Sequence, residues 1–248
     1  MLKKLHTYLI KKIDDKFYPG FEKNWDDELY RRKILDSTEG SRNINVLDIG
    51  AGAGIIEAMN FRDVFDHVSG LDPDERVIDN KFLHSGFIGL GDNMNMFQDN
   101  QFDMVFCDNV FEHISHPEAL FKEVSRVLKP EGLFLAKTPN KYHYMPLIAA
   151  NTPTWFHKFY NKLRGREVED TFPTEYLLNS KEQIQKIAEL TNFKLCSIDY
   201  HDGRQEYLRI FFPLYILGLI YGGIVERFNL KRLKILLIVK LINKKGRS

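Results

Sequence analysis

Three glycines within five positions directly follow an apolar run in the segment NVLDIGAGAG, residues 45–54. Glycine leaves out the side chain, which suits a turn with an unusual backbone or one that a ligand approaches closely. Such a turn between a first strand and its helix is typical of folds that hold a ligand against backbone N–H groups. The segment therefore predicts a ligand site after the first strand, with a purely structural turn as the alternative.

The pattern of apolar residues predicts an α/β fold around this turn. Apolar runs of strand length alternate with helical patterns as far as residue 137, which is typical of a parallel sheet covered on both faces. Ser180 is the expected N-cap of a later helix. The predicted strands are 44–49, 67–71, 86–90, 102–107, 133–137 and 193–198, with a last strand within 234–245, and the predicted helices are 54–62, 74–80, 117–128 and 181–192.

The chain has 248 residues, of which 44% are hydrophobic and 28% charged, a length and composition that fit one large core. We therefore predict a single domain over residues 1–248. Within it we expect an N-terminal helical segment at 1–35, a cap insertion at 138–178 and an apolar cap or membrane-surface segment at 207–230. The N-terminus lacks the long apolar core of a secretion signal.

Charge and cysteine usage narrow the function classes. The net charge is +1, and no basic and aromatic stripe suggests a nucleic-acid partner. Positive charge is concentrated at the end of the chain, where residues 226–248 contain eight basic residues and one acidic residue. The two cysteines, Cys107 and Cys196, lie in apolar runs, which favours a reducing compartment and hence the cytoplasm.

The stretch FEHISHPEALFKEVSRVLKPEGLFLAKTPN, residues 111–140, contains the most specific pattern of the chain. A Glu-His pair follows the fourth predicted strand, Arg-Val-Leu-Lys-Pro-Glu-Gly closes the next helix, and the fifth strand runs into Pro-Asn. Together with the spacing Gly50-x-Gly52-x-Gly54, this resembles the class I S-adenosylmethionine-dependent methyltransferases, and among them the ubiquinone-biosynthesis group of types 11 and 23. Glu131 departs from the usual glycine of that group.

The resemblance covers residues 40–140 well and 180–200 loosely. It implies a three-layer α/β/α Rossmann-like sandwich whose seven-stranded sheet is mostly parallel with an antiparallel last strand, plus a helical cap insertion. A nucleotide-dependent oxidoreductase would share much of this fold. Its dinucleotide site requires the wider spacing Gly-x-Gly-x-x-Gly, however, so the tighter glycine spacing here disfavours it.

The resemblance also implies S-adenosylmethionine as cofactor and places its contacts after the strands. Asp48 would receive the methionine ammonium, Asp72 both ribose hydroxyls, and Asp92 the adenine amino group. Met94 would flank the adenine ring, although a core position explains it equally well. The residues expected to bind the cofactor are Asp48, Gly50, Ala51, Gly52, Gly54, Asp72, Pro73, Asp92, Asn93, Met94, Asp108 and Asn109.

Methyl transfer is an in-line displacement, so the enzyme mainly positions a nucleophile and removes its proton. His113 is the expected general base and Glu112 the second catalytic residue, with packing of His113 on the cofactor as the alternative. No metal is expected. Asn109 stands where metal-dependent relatives have the first glutamate of Glu-x-x-Glu-His.

The acceptor is constrained mainly by what the sequence lacks. The positions after the fourth strand do not carry the Asn/Asp-Pro-Pro-Tyr/Phe pattern of base methylation, and Cys107 is not preceded by proline. We therefore expect O-methylation of a small-molecule, glycan or lipid-linked acceptor. A non-catalytic, membrane-associated cofactor-binding protein is the alternative from another class.

Residues 210–225 form an uncharged run of sixteen residues. As a helix it would extend ~24 Å, less than the ~30 Å hydrocarbon core of a bilayer. It is therefore expected either to cap the acceptor pocket or to lie in a membrane surface. The expected location is the cytoplasm, with a peripheral position on the inner face of a membrane left open.

Overall fold

The computed structural model describes residues 2–150 and 173–246. A seven-stranded sheet with the strand order β3-β2-β1-β4-β5-β7-β6 forms the centre of the fold. The strands are β1 (Asn45–Ile49), β2 (His67–Asp72), β3 (Ser85–Ile88), β4 (Phe102–Asp108), β5 (Leu128–Pro139), β6 (Phe193–His201) and β7 (Leu236–Asn243).

Strands β1 to β5 pair in parallel and β7 runs antiparallel to β5, which confirms the predicted mostly parallel sheet with an antiparallel last strand. The central strands are buried on both faces, and for this reason their sequences are almost continuously apolar. In the parallel part, the carboxyl ends of neighbouring strands share one edge of the sheet. That edge is where ligands bind in open α/β sheets.

Six α-helices flank or extend the sheet in the described residues. The third begins with a proline in its first turn and buries Leu120, Phe121 and Val124. The fifth is capped by Ser180, whose hydroxyl accepts the Gln183 N–H at 3.4 Å, as predicted. The helices are α1 (Leu2–Phe17), α2 (Trp25–Ser37), α3 (Pro117–Val127), α4 (Tyr144–Ala150), α5 (Lys181–Leu190) and α6 (Phe212–Arg227).

Two predicted helices are wrong. Residues 54–62 form a loop with a single 3₁₀ turn, Glu57–Met59, and residues 74–80 form another 3₁₀ turn, Glu75–Asp79. Only 17 residues separate the end of β1 from the start of β2, and they must also cross over to a parallel neighbour. Apolar spacing in these connections reflects anchoring of loops, such as that of the buried Phe61, and not one face of a helix.

The chain divides into two compact units. Among the described residues, the first contains 2–26, 140–150 and 200–235, and therefore includes α1, α4 and α6. The second contains 27–139, 173–199 and 236–246, which supply nearly all of the sheet. Most of the segment predicted as a cap insertion, 138–178, lies outside the described residues.

The apolar run at 210–225 forms most of α6, which is 16 residues long. Within residues 2–150 and 173–246, no helix has the length and apolar character needed to cross a bilayer.

Asn243 links the last strand, β7, to the end of α3 and the start of β5. Its buried side-chain amide donates to the carbonyl of Ser125 at 2.9 Å and to those of Leu128 and Lys129, and its oxygen accepts the Ser125 hydroxyl at 2.9 Å. Replacing it would leave several buried polar groups without partners, and each such group costs free energy.

We predict that Asn243→Ala lowers the free energy of unfolding by about 2–3 kcal/mol. Urea denaturation followed by circular dichroism measures the change, and Gln185→Ala on the exposed face of α5 serves as the control. A loss below about 0.5 kcal/mol would show that the Asn243 contacts do not hold β7 in place.

Candidate cofactor and catalytic site

Three aspartates mark the carboxyl ends of three adjacent strands. Asp48 lies near the end of β1, Asp72 ends β2 and Asp108 ends β4, and these strands are neighbours in the order β2-β1-β4. The Asp48 side chain is buried, and burial together with the charges of Asp108 and Asp72 holds its pKa well above the ordinary value. This acidic edge favours a ligand that brings positive charge.

A buried lysine balances part of this negative charge. Lys137 has no exposed surface, and its ammonium lies 3.0 Å from Asp108 Oδ1 and 2.5 Å from Asp27 Oδ1 on α2. Tyr30, one turn further along α2, donates its hydroxyl to the Cys107 carbonyl at 2.9 Å. These contacts of Lys137 and Tyr30 were not predicted from the sequence. A lysine within the apolar run of β5 was the feature that could have indicated a buried ion pair.

Backbone conformation and close packing explain why this loop is rich in glycine. Gly50, Gly52 and Gly54 all have positive φ, at 81°, 53° and 69°, a conformation that L side chains rarely adopt. A Cβ at Gly50 would collide with the Val110 side chain, and one at Gly54 with the side chain of Asn80. The structural alternative for this turn therefore accounts for all three glycines through their backbone conformation, and at Gly50 and Gly54 close packing is a second reason.

Gly52 differs from the other two glycines because a Cβ there would meet nothing closer than an Asp72 carboxylate oxygen at 4.0 Å. Its backbone N–H donates to Asp72 Oδ2 at 2.8 Å. The loop is further fixed by the buried Asn80, whose amide donates to the carbonyls of Ala51 and Gly52 at 3.0 and 3.1 Å. The space beside Gly52 suits close approach of a ligand to Asp72. The role of Asn80 in holding the loop was not predicted from the sequence.

The Asp72 carboxylate is buried and held by two backbone donors. Besides the Gly52 N–H on Oδ2, the Asp74 N–H donates to Oδ1 at 2.8 Å. Each carboxylate oxygen can accept two hydrogen bonds, so each retains capacity for a hydroxyl donor. Pro73 lies between these two aspartates, and Asp74 caps the following 3₁₀ turn by accepting the Arg76 N–H.

The residues after β3 divide between surface and core. Asp92 is partly exposed, with its carboxylate 3.3 Å from His116 Nδ1, and Asn93 is exposed. Met94 is fully buried, so in this structure its side chain contributes to the core. Its backbone is fixed by Glu123, which accepts the Met94 N–H at 2.8 Å, and by Arg126, which donates to the Met94 carbonyl at 2.9 Å.

Asn109 follows Asp108 with a positive φ of 53°, and its N–H donates to the Lys137 carbonyl at 2.9 Å. A 3₁₀ turn, Phe111–His113, then carries both predicted catalytic residues. His113 Nδ1 lies 2.8 Å from the Pro173 carbonyl oxygen, which only accepts hydrogen bonds. Nδ1 therefore carries a proton, and Nε2 is the basic nitrogen of the neutral imidazole.

Glu112 is buried beside His113. Its Oε2 accepts the Thr138 hydroxyl at 3.2 Å, and Asn179 donates to Thr138 Oγ1 at 2.7 Å. Burial raises the pKa of the Glu112 carboxyl, while His113 and the Thr138 hydrogen bond oppose that rise. The Glu112 carbonyl also accepts the N–H groups of Glu175 and Tyr176, so this glutamate anchors the segment that supports His113.

Comparison with known proteins identifies the family of this chain. The family model for the methyltransferase domain matches residues 23–198, which is more than half of the chain. The chain belongs to this methyltransferase family. It resembles the S-adenosylmethionine-dependent methyltransferases of the ubiquinone-biosynthesis group, as the sequence predicted.

Individual relatives agree with the family. The chain is 28% identical over 131 residues to the ubiquinone biosynthesis O-methyltransferase of Neisseria meningitidis serogroup C, covering 48% of this chain and 55% of that protein. It is 33% identical over 132 residues to a sterol 4-C-methyltransferase of Caenorhabditis elegans, covering 46% of this chain and 39% of that protein. The chain thus spans about half or less of these curated relatives.

A solved structure supports the fold alone. A chain from the complex between the Haloferax volcanii Trm112 methyltransferase activator and a methyltransferase superposes with a TM-score of 0.59 at 17% identity. The alignment covers 91% of this chain and 93% of that chain. The Rossmann-like fold of this methyltransferase is therefore shared across nearly its whole length.

The residues present fit a cofactor that carries cationic groups and a ribose. The acidic edge favours the sulfonium and ammonium charges of S-adenosylmethionine, Gly52 allows close approach, and Asp72 retains acceptor capacity for hydroxyls. Across residues 2–150 and 173–246, no cluster of three or more His, Cys, Asp or Glu side chains could hold a metal ion.

We predict that Asp72→Asn and Asp72→Ala weaken binding of S-adenosylhomocysteine by about ten- to a hundredfold, or roughly 1.5–3 kcal/mol. Because Asp72 also holds the Gly52 and Asp74 N–H groups, we expect the alanine variant to lose stability as well. Calorimetric titration measures the affinity, with the nearby Asp74→Ala as control. If Asp72→Asn bound as tightly as the parent, the assignment of Asp72 to the ribose would be wrong.

Proposed function

We propose that this methyltransferase transfers the methyl group of S-adenosylmethionine to a hydroxyl of a small-molecule, glycan or lipid-linked acceptor. The observation that carries the proposal is the hydrogen bond from His113 Nδ1 to the Pro173 carbonyl, which orients the imidazole in the turn after β4. The bound cofactor supplies an electrophilic methyl group on a sulfonium. The chain must therefore bind and orient the cofactor, hold the acceptor hydroxyl in line and remove its proton.

Cofactor binding is assigned to the strand ends and the glycine-rich loop. Asp48 faces the methionine ammonium, Asp72 accepts the ribose hydroxyls, and Asp92 with Asn93 contacts the adenine. The backbone of the loop at Gly50, Ala51, Gly52 and Gly54 lies along the cofactor, and Pro73, Asp108 and Asn109 complete the contacts. This assignment is supported by the acidic character of the edge and by the open position at Gly52.

His113 is proposed as the general base. Its Nδ1–H donates to the Pro173 carbonyl, so Nε2 takes the proton of the acceptor hydroxyl as the oxygen attacks the methyl carbon. The charge that develops on the imidazole is then stabilised by the neighbouring buried Glu112 carboxylate, because a charged His113 lowers the pKa of that carboxyl. Thr138 and Asn179 hold that carboxyl in place through their buried hydrogen bonds.

The acceptor is proposed to be a hydroxyl compound because this chain resembles the ubiquinone-biosynthesis group, one relative being an O-methyltransferase by name. A second relative is a sterol 4-C-methyltransferase by name, which places a lipid among the acceptors of similar proteins. We place the protein in the cytoplasm, at the inner face of a membrane. The two free cysteines, of which Cys196 is exposed, support a reducing compartment.

A labelling experiment tests the proposal. Purified protein is incubated with S-adenosylmethionine labelled on its methyl group and with a total lipid and glycan extract, and the fractions are assayed for label. We expect label in a hydroxyl-bearing product, and we expect His113→Ala to lower the rate about a hundredfold or more with unchanged S-adenosylhomocysteine affinity.

His116→Ala is the control, since His116 lies three residues further on and its side chain is exposed. Because its ring contacts Asp92, the rates are compared at saturating S-adenosylmethionine. It should retain the parent rate. A His113→Ala variant that labels its product as fast as the parent would exclude His113 as the base. Label in no fraction, despite tight cofactor binding, would favour a cofactor-binding protein without turnover on these acceptors.

A further inference from the structure

Helix α6 (Phe212–Arg227) is apolar on every side, yet it lies at the surface of the first unit. Its buried edge contains Tyr215, Gly218 and Val225. Tyr215 donates its hydroxyl to Asp14 Oδ1 on α1 at 2.5 Å, and Gly218 packs closely on Gln205 and Leu208. The helix is thus fixed along one edge by specific contacts within its own unit.

The opposite face is exposed and apolar. It runs over about five turns without a charged residue until the end of the helix, and its members are 36–65% exposed. A helix that is apolar all round is normally buried in a core or in lipid, and a continuous exposed patch of this kind marks an interaction surface. We call it the α6 face, and it consists of Ile210, Phe211, Leu214, Leu217, Ile220, Ile224 and Phe228.

The charge of the first unit indicates which partner this face meets. Its described stretches, 2–26, 140–150 and 200–235, contain 13 lysines and arginines against 7 aspartates and glutamates. Arg227, Lys231 and Arg232 are exposed at the C-terminal end of the α6 face. On α1, Lys4, Lys11, Lys12 and Lys16 are exposed as well.

The second unit has the opposite charge. Its described stretches contain 17 lysines and arginines against 24 aspartates and glutamates, so the nearly neutral chain separates into a basic and an acidic unit. Basic residues beside an apolar helix face are the combination that binds anionic lipid, with the apolar side chains entering the acyl boundary. A copy of the same basic unit would instead be repelled.

We infer that the α6 face docks on an anionic bilayer surface. The apolar side chains of α6 enter the headgroup region, and the basic residues after it contact lipid phosphates. This inference refines the membrane location given in the proposed function, and it selects the lipid-linked class among the three acceptor classes. It does not depend on the roles of Asp72 or His113.

Vesicle sedimentation tests the inference on the full-length protein. The vesicles consist of phosphatidylcholine, either alone or with about 30% phosphatidylglycerol. At low salt we expect at least about tenfold stronger partitioning onto the anionic vesicles, and we expect about 0.5 M sodium chloride to reduce it severalfold by screening. Equal binding to both vesicle types, unaffected by salt, or no binding to either would overturn the inference.

Two double variants test the α6 face itself. Leu217→Asp with Ile220→Asp should lower partitioning more than about tenfold, and the uncharged pair Leu217→Ser with Ile220→Ser should lower it in the same direction. The matched control is Gln185→Asp with Leu190→Asp, which adds the same charge to exposed positions of α5 in the acidic unit. Parent-like binding by both α6 variants would contradict the inference.

Further measurements on the same preparations identify the alternatives. Unchanged S-adenosylhomocysteine affinity and circular dichroism show that the α6 variants are folded, so that loss of lipid binding is separable from loss of the methyltransferase site. Sedimentation velocity that shows a parent dimer, abolished by the Leu217 and Ile220 changes, would assign the face to a second copy. Slow hydrogen exchange over the exposed turns of α6 in the absence of lipid would indicate that another part of the chain covers the α6 face.

Discussion

The buried ammonium of Lys137 is the interaction on which the site depends. A charge without exposed surface is tolerated only when it is paired, and here Asp27 and Asp108 provide the pairing. The contact joins α2 to the ends of β4 and β5, and with Tyr30 it fixes the backbone where the acidic edge begins. Lys137 compensates the charge of Asp108. The neighbouring strand ends can therefore carry two further carboxyl groups, Asp48 and Asp72, which favour a cationic ligand.

Hydrogen bonds from side chains hold both the glycine-rich loop and the turn that carries Glu112 and His113. They run to backbone groups in the loop and mainly between side chains in the turn. Asn80 and Asp72 hold the glycine-rich loop without the α-helix that the sequence predicted after β1. Thr138 and Asn179 hold Glu112, and the Pro173 carbonyl orients His113. The proposed site residues thus lie on short loops that hydrogen bonds connect to the end of the sheet.

The sequence predicted the sheet well because strands buried on both faces must be continuously apolar, and those runs are visible directly. Predictions failed for the connections after β1 and β2, where apolar residues anchor 3₁₀ turns and loops at similar spacing. The aspartates were found because they follow apolar runs. Other supporting contacts could not be predicted, since each joins residues that are distant in sequence. They are the hydrogen bonds of Asn80, Thr138 and Asn179 and the pairing of Lys137 with Asp27. The fully buried Met94 shows how one apolar residue after a strand can serve either core or ligand.

Calorimetric titration in two buffers of different ionisation enthalpy tests the acidic strand edge most directly, with S-adenosylmethionine, S-adenosylhomocysteine and NAD as ligands. The pKa of Asp48 is raised in the free protein, and a bound cation favours the ionised carboxylate and lowers that pKa. We therefore predict that S-adenosylmethionine binds with release of protons and that its affinity increases as the pH rises from the bound toward the free pKa of Asp48. NAD should not bind. Micromolar binding of NAD, with no binding of either sulfur ligand, would contradict the account.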